Sequence, residues 1–113
     1  MDDDPRSRAA VARILADEGY DATVAADGEE ATPLLTEWRP DLILTDLHMP
    51  RLDGQGLLRR VQSLRPGTPV IVLSARGAAE AVRLTAGLGA SGFLPKPVEV
   101  DKLLVRIRDL IGD

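Results

Sequence analysis

Three residues able to do chemistry together each close a short apolar run. Asp46 ends the run from Asp41, Ser74 ends the run from Pro69, and Lys96 ends the run from Ser91. If these runs are strands of an open parallel sheet, their C-termini converge on the edge where such folds bind ligands. A carboxylate, a hydroxyl and an ammonium gathered there suit an anionic group that is transferred to or from the carboxylate. A phosphoryl group fits that description best. Only Lys96 and Lys102 among the 14 basic residues are lysines, so a lysine at a strand end stands out. A compact, rotatable ammonium can follow a moving phosphoryl oxygen.

The elements that must position these residues alternate along the chain. Pro5 to Glu18 reads as a helix, with Asp4 as cap, Pro5 at its first position and Ala10, Val11, Ile14 and Leu15 as its apolar stripe. Gly19 stops it. Tyr20 to Ala26 alternates as a strand. Asp27-Gly28-Glu29-Glu30 reads as a capping box opening a second helix, with Ala31, Leu34, Leu35 and Trp38 inward. Pro33 sits awkwardly there and could move the start to Thr32. Asp41 to Asp46 is an apolar strand of the kind buried on both faces. A turn-rich loop leads to a third helix marked by Leu57, Leu58, Val61 and Leu64 and closed by Pro66-Gly67.

Thr68 to Ser74 reads as the next strand, Gly77 to Gly87 as a weak fourth helix, and Ala90 to Pro95 as a last short strand. Val98 to Ile111 forms a final helix with Val100, Leu103, Leu104, Ile107, Leu110 and Ile111 inward. Alternating helix and strand implies an α/β fold, a doubly wound parallel sheet with helices on both faces and right-handed crossovers. Only four strands are encoded, and the chain opens on a helix.

Composition narrows the function classes. At 113 residues the chain makes one domain, spanning 1–113. A net charge of −4 argues against nucleic acid or an anionic membrane as the main partner. The absence of cysteine excludes disulfides and thiolate metal sites. No apolar run approaches the roughly 20 residues that span a bilayer. The acidic start is unlike a signal peptide, so a cytoplasmic location is expected.

The ordered fragments Asp2-Asp3-Asp4-Pro5, Pro40 to Pro50, Asp53-Gly54, Val72-Leu73-Ser74-Ala75 and Leu94-Pro95-Lys96-Pro97 resemble the receiver domains of two-component response regulators, which are CheY-like. The resemblance spans the whole chain and implies a flavodoxin-like fold. It implies that Asp46 accepts a phosphoryl group from a histidine kinase or a histidine phosphotransfer protein. It further implies Mg²⁺ held by Asp2, Asp3, Asp46 and the backbone carbonyl of His48. By the same resemblance Ser74 and Lys96 hold phosphoryl oxygens, and Ser74 and Phe93 are the switch residues. His48 and Arg76 occupy positions that tune phosphoryl lifetime through access of water. Pro97 matches a cis Lys-Pro bond that aims the ammonium inward.

Elementary chemistry agrees with these roles. Clustered carboxylates repel unless a divalent cation or a proton intervenes. Mg²⁺ takes hard oxygen ligands and joins carboxylates to phosphate oxygens. Phosphoryl transfer asks mainly for in-line positioning and neutralised equatorial oxygens. The bland readings are a turn residue for Asp46, solvated terminal acids for Asp2 and Asp3, a satisfied hydroxyl for Ser74, core packing for Phe93 and a solvated side chain for His48. Asp4 is read as a helix cap.

Receiver domains place an apolar strand before the acidic pair, central in the order 2-1-3-4-5, whereas here only Met1 precedes Asp2. Without it, ladder groups lose partners, and each buried unpaired group costs about 1–3 kcal/mol. Three arrangements are open: a start displaced from the natural one, strand exchange with another chain, or strands that close up and leave Asp2 and Asp3 poorly supported. The expected output is a face formed by Gly77–Gly87, Ser91–Pro95 and the last helix, offered to a downstream protein or domain or to a homodimer. On this reading the chain is a signalling domain, not an enzyme. One alternative is a degenerate receiver acting as a binding module. The other is a phosphatase like the haloacid dehalogenases, disfavoured because His48 stands where that family has a second Asp.

Overall fold

A computed structural model describes residues 4–25, 28–37, 40–46, 54–64, 67–74, 79, 82–83, 85, 87, 89–96 and 98–111. The described elements run α1 (Pro5–Asp17), α2 (Gly28–Glu37), β1 (Ile43–Asp46), α3 (Gly54–Leu64), β2 (Val70–Ser74), β3 (Gly92–Pro95) and α4 (Val100–Ile111). Ala79, Val82 and Arg83 are also helical, within the segment expected as a fourth helix. None of the described helices is long and apolar enough to cross a membrane.

The three strands form one parallel sheet in the order β1-β2-β3. Register sets Ile43 beside Val70 and Asp46 beside Leu73, then Leu73 beside Leu94 and Ser74 beside Pro95. All five β2 residues are buried. Alternate side chains of a strand face opposite ways, and β2 divides the core accordingly. Val70 and Val72 pack with Ala31, Leu35, Leu57, Leu58 and Val61 of α2 and α3. Ile71 and Leu73 pack with Leu94, Leu103 and Ile107, and with Val11 and Leu15 of α1. Helices thus cover both faces, as the alternation of elements requires.

Local chemistry sets the helix ends. Asp4 caps α1, its Oδ1 accepting from the Arg6 amide at 3.0 Å, with Pro5 at the first position. Gly19 follows at φ +89°, a left-handed conformation that glycine adopts without strain, and α1 stops. Gly67 at φ +95° makes the corresponding turn between α3 and β2. Pro33 lies inside α2, which starts at Gly28 and not at Thr32. Its ring φ is already helical, and its missing N–H costs a single bond near the helix start.

Three expectations need correction. Tyr20–Ala25 joins no ladder, so three strands are formed among the described residues and not four. Ala10 and Val100 are exposed, Val100 at 44%, because each falls at the rim of its helix's apolar stripe. Nor do the strands close up. A cavity of about 350 Å³ lies between the 20–25 segment and β1, roofed by α1. That cavity explains why α1 has no buried residue although its inner face is apolar.

Candidate functional site

The C-terminal edge of the sheet brings together the three residues with which the sequence reading began. Asp46 is the last residue of β1 and Ser74 the last of β2, while Lys96 directly follows β3. Parallel register makes them neighbours: Asp46 lies beside Leu73, so Ser74 stands one residue further along the edge. The Lys96 amide donates to the Ser74 carbonyl at 2.9 Å, continuing the β2–β3 ladder past its last pair. This bond fixes where the Lys96 backbone leaves the sheet.

From that point the lysine side chain crosses the edge. Lys96 Nζ donates to Asp46 Oδ2 at 2.9 Å, with side chains only 19% and 13% exposed. A charge-assisted bond at this length is stronger than a neutral one. Its partial burial weakens solvent screening, so removing either partner leaves a poorly solvated charge. The pair spans 50 residues of sequence and connects the outer strands β1 and β3 above the end of β2.

Ser74 is 1% exposed, and Thr45, beside Asp46, is fully buried. Thr45 Oγ1 donates to the Asp46 carbonyl at 2.9 Å. Sequence reasoning did not single out Thr45; the available signal was a hydroxyl inside an otherwise apolar run. The bond satisfies a buried hydroxyl and fixes the backbone that carries Asp46. Phe93 is half-buried and packs on the α2–α3 side of the sheet, two residues before the end of β3.

The remaining expected site residues, Asp2, Asp3, His48 and Arg76, lie outside the described residues, as do Trp38 and Pro97. No cluster of three metal-ligating side chains occurs among the described residues. Asp46 is therefore the one expected Mg²⁺ ligand whose surroundings are described. Its hard carboxylate oxygen at the sheet edge suits that ion, and Lys96 already shows that a cation is held there.

Such an edge can hold an anion transferred onto a carboxylate, with the ammonium ready to neutralise the incoming oxygens. Comparison with known proteins identifies the family. The response regulator receiver domain family matches residues 1–108. Response regulator MprA of Mycolicibacterium vanbaalenii is 40% identical over 113 residues, covering 98% of this chain and 48% of its own length. MprA of Mycobacterium leprae is also 40% identical and is covered over 49% of its length. The chain thus spans about half the length of these relatives. Among solved structures, the receiver domain of the Francisella response regulator 1452 superposes with a TM-score of 0.87 at 35% identity, covering 97% of this chain and 91% of that one. The receiver domain of sensor histidine kinase PA1611 from Pseudomonas aeruginosa, with a magnesium ion in its active site cleft, gives 0.89 at 28% identity, covering 100% and 94%. By sequence and by fold, this chain belongs to the response regulator receiver domains.

Proposed function

We propose that residues 1–113 act as one phosphoacceptor unit, in which Asp46 takes a phosphoryl group from a phosphohistidine of a histidine kinase or phosphotransfer protein. The observation that carries this reading is the 2.9 Å bond from Lys96 Nζ to Asp46 Oδ2 at the C-terminal edge of a parallel sheet. In the reaction an Asp46 carboxylate oxygen attacks phosphorus and the P–N bond to imidazole breaks. The phosphoryl oxygens then accept the hydrogen bond that Lys96 gives to Asp46. The Ser74 hydroxyl takes a second oxygen. Asp46, with Asp2, Asp3 and the His48 carbonyl, would hold Mg²⁺, which would supply neutralising charge for the phosphoryl oxygens.

The switch follows from connectivity. Lys96 is bonded through its backbone to Ser74 and lies three residues beyond Phe93, so a change at Asp46 is felt along β3. Rearrangement of Ser74 and Phe93 would alter the face made by the helical residues near Val82, by β3 and by α4. Val82, Val100 and Val105 on these helices are about half exposed, apolar surface that an output protein or a second copy could read. His48 and Arg76 set how long the acyl phosphate survives water.

Incubation with a small phosphodonor and Mg²⁺, read by intact mass, tests the proposal. Wild type should gain one phosphoryl group and Asp46→Ala none. A wild type that stays unlabelled would leave the binding-module reading, and steady turnover of phosphate esters would favour the phosphatase.

A further inference from the structure

Two buried hydroxyl side chains stand at the C-terminal ends of β1 and β2, and the proposed reaction uses only one of them, Ser74. The other belongs to Thr45, which is fully buried beside Asp46. Its register partner is Val72, and Val72 is paired in turn with Phe93. Directly paired residues share a face of the sheet. Thr45, Val72 and Phe93 therefore form one row across all three strands, on the side covered by α2 and α3. Asp46 belongs to the next row, on the opposite face with Leu73 and Leu94.

An apolar side chain would fill the Thr45 position with no polar atom to satisfy, as Ile43 does on the same strand and face. What the hydroxyl adds is a hold on the neighbouring main chain: Thr45 Oγ1 donates to the Asp46 carbonyl at 2.9 Å. A β-branched side chain has few χ1 choices, and full burial narrows them, so this bond is stiff at its donor end.

Asp46 thus has two holds that fare differently during transfer. Lys96 Nζ grips the carboxylate through Oδ2, and in the proposed reaction that hydrogen bond passes to the phosphoryl oxygens. The carboxylate loses this tether in the step that needs an oxygen in line with phosphorus, where small misplacements are costly. The Asp46 carbonyl takes no part in the transfer, so the Thr45 bond persists through it.

We propose that Thr45 is a positioning residue for phosphoryl transfer. Its hydroxyl holds the Asp46 main chain in place while Lys96 hands its hydrogen bond from the carboxylate to the phosphoryl group. The inference rests on the reading that Asp46 is the acceptor. Thr45 acts through Asp46 alone and meets neither the donor nor its leaving group.

The test compares chains that differ by the hydroxyl alone, wild type with T45V and T45S with T45A. Initial rates of Asp46 labelling with Mg²⁺ are read by intact mass, well below the melting temperature of every chain. Acetyl phosphate and phosphoramidate serve as donors. The loss of one neutral hydrogen bond should slow labelling about three- to tenfold within each pair. The factor should be the same for both donors, and T45S should recover most of the wild-type rate. A hydroxyl with a merely structural role would lower the melting temperature and leave the folded chains equally fast, which would overturn the proposal. A loss confined to one donor would overturn it too, by placing Thr45 in contact with that donor. If T45V does not fold, the serine and alanine pair decides alone. A wild type that stays unlabelled at Asp46 would remove the acceptor reading and this inference with it. A labelled wild type with equal rates in both pairs would remove only the role of Thr45.

Discussion

Lys96 and Asp46 define the chemistry at the scale of single residues. In the resting state the ammonium neutralises a carboxylate that would otherwise sit, 13% exposed, against a sheet edge. The same ammonium is then in place for a phosphoryl oxygen. Charge-assisted hydrogen bonds contribute about 1.5–3 kcal/mol, so Lys96→Ala should slow phosphoryl labelling of Asp46 by about ten- to a hundredfold. Labelling kinetics with a small phosphodonor check this, and an unchanged rate would remove Lys96 from the proposed mechanism. Lys96→Arg should restore only part of the rate, because a planar fork does not follow a moving oxygen as an ammonium does. In the proposed mechanism His48 and Arg76 act after transfer. Replacing both should change the phosphoryl half-life while leaving the extent of labelling intact, as a decay time course would reveal.

The scale of elements explains why the site was legible in sequence and part of its support was not. Asp46, Ser74 and Lys96 could be placed because apolar runs of five or six residues make interior strands, and interior strands end at the ligand edge. Asp4 was equally legible, since a short acid before proline and an apolar stripe has one common use; Asp4→Ala should cost about 1 kcal/mol in urea unfolding. Thr45 was hidden because its hydroxyl is satisfied by the next residue's carbonyl, a local bond that no spacing pattern announces. Tyr20–Ala25 reads as a strand by alternation, yet alternation says only which side chains face inward. A ladder needs a neighbour, and the place beside this segment is a cavity. The same cavity makes the helices unequal. Leu103 is fully buried on α4, and Leu103→Ala should cost about 2–5 kcal/mol. Leu15 on α1 faces the cavity, and Leu15→Ala should cost only about 1 kcal/mol. Equal losses in urea would mean that α1 is packed as firmly as α4.

On the scale of the whole molecule, the C-terminal edge of the sheet and the flank beside β1 differ. Its C-terminal edge, crossed by the Lys96–Asp46 bond, is the place of the proposed phosphoryl chemistry, and the proposed switch runs from there through β3 and α4. Its flank, between β1 and Tyr20–Ala25, holds the cavity of about 350 Å³, lined by residues of α1, α2 and α4. Family membership makes the chain a response regulator receiver domain. The account rests most heavily on Asp46 as the acceptor. The most direct test is to treat the wild-type chain with a small phosphodonor and Mg²⁺, trap the product in acid, and map the modified residue by peptide mass. The account predicts a single hydroxylamine-sensitive acyl phosphate on Asp46. A phosphoryl group on any other residue, or none on the folded chain, would contradict it.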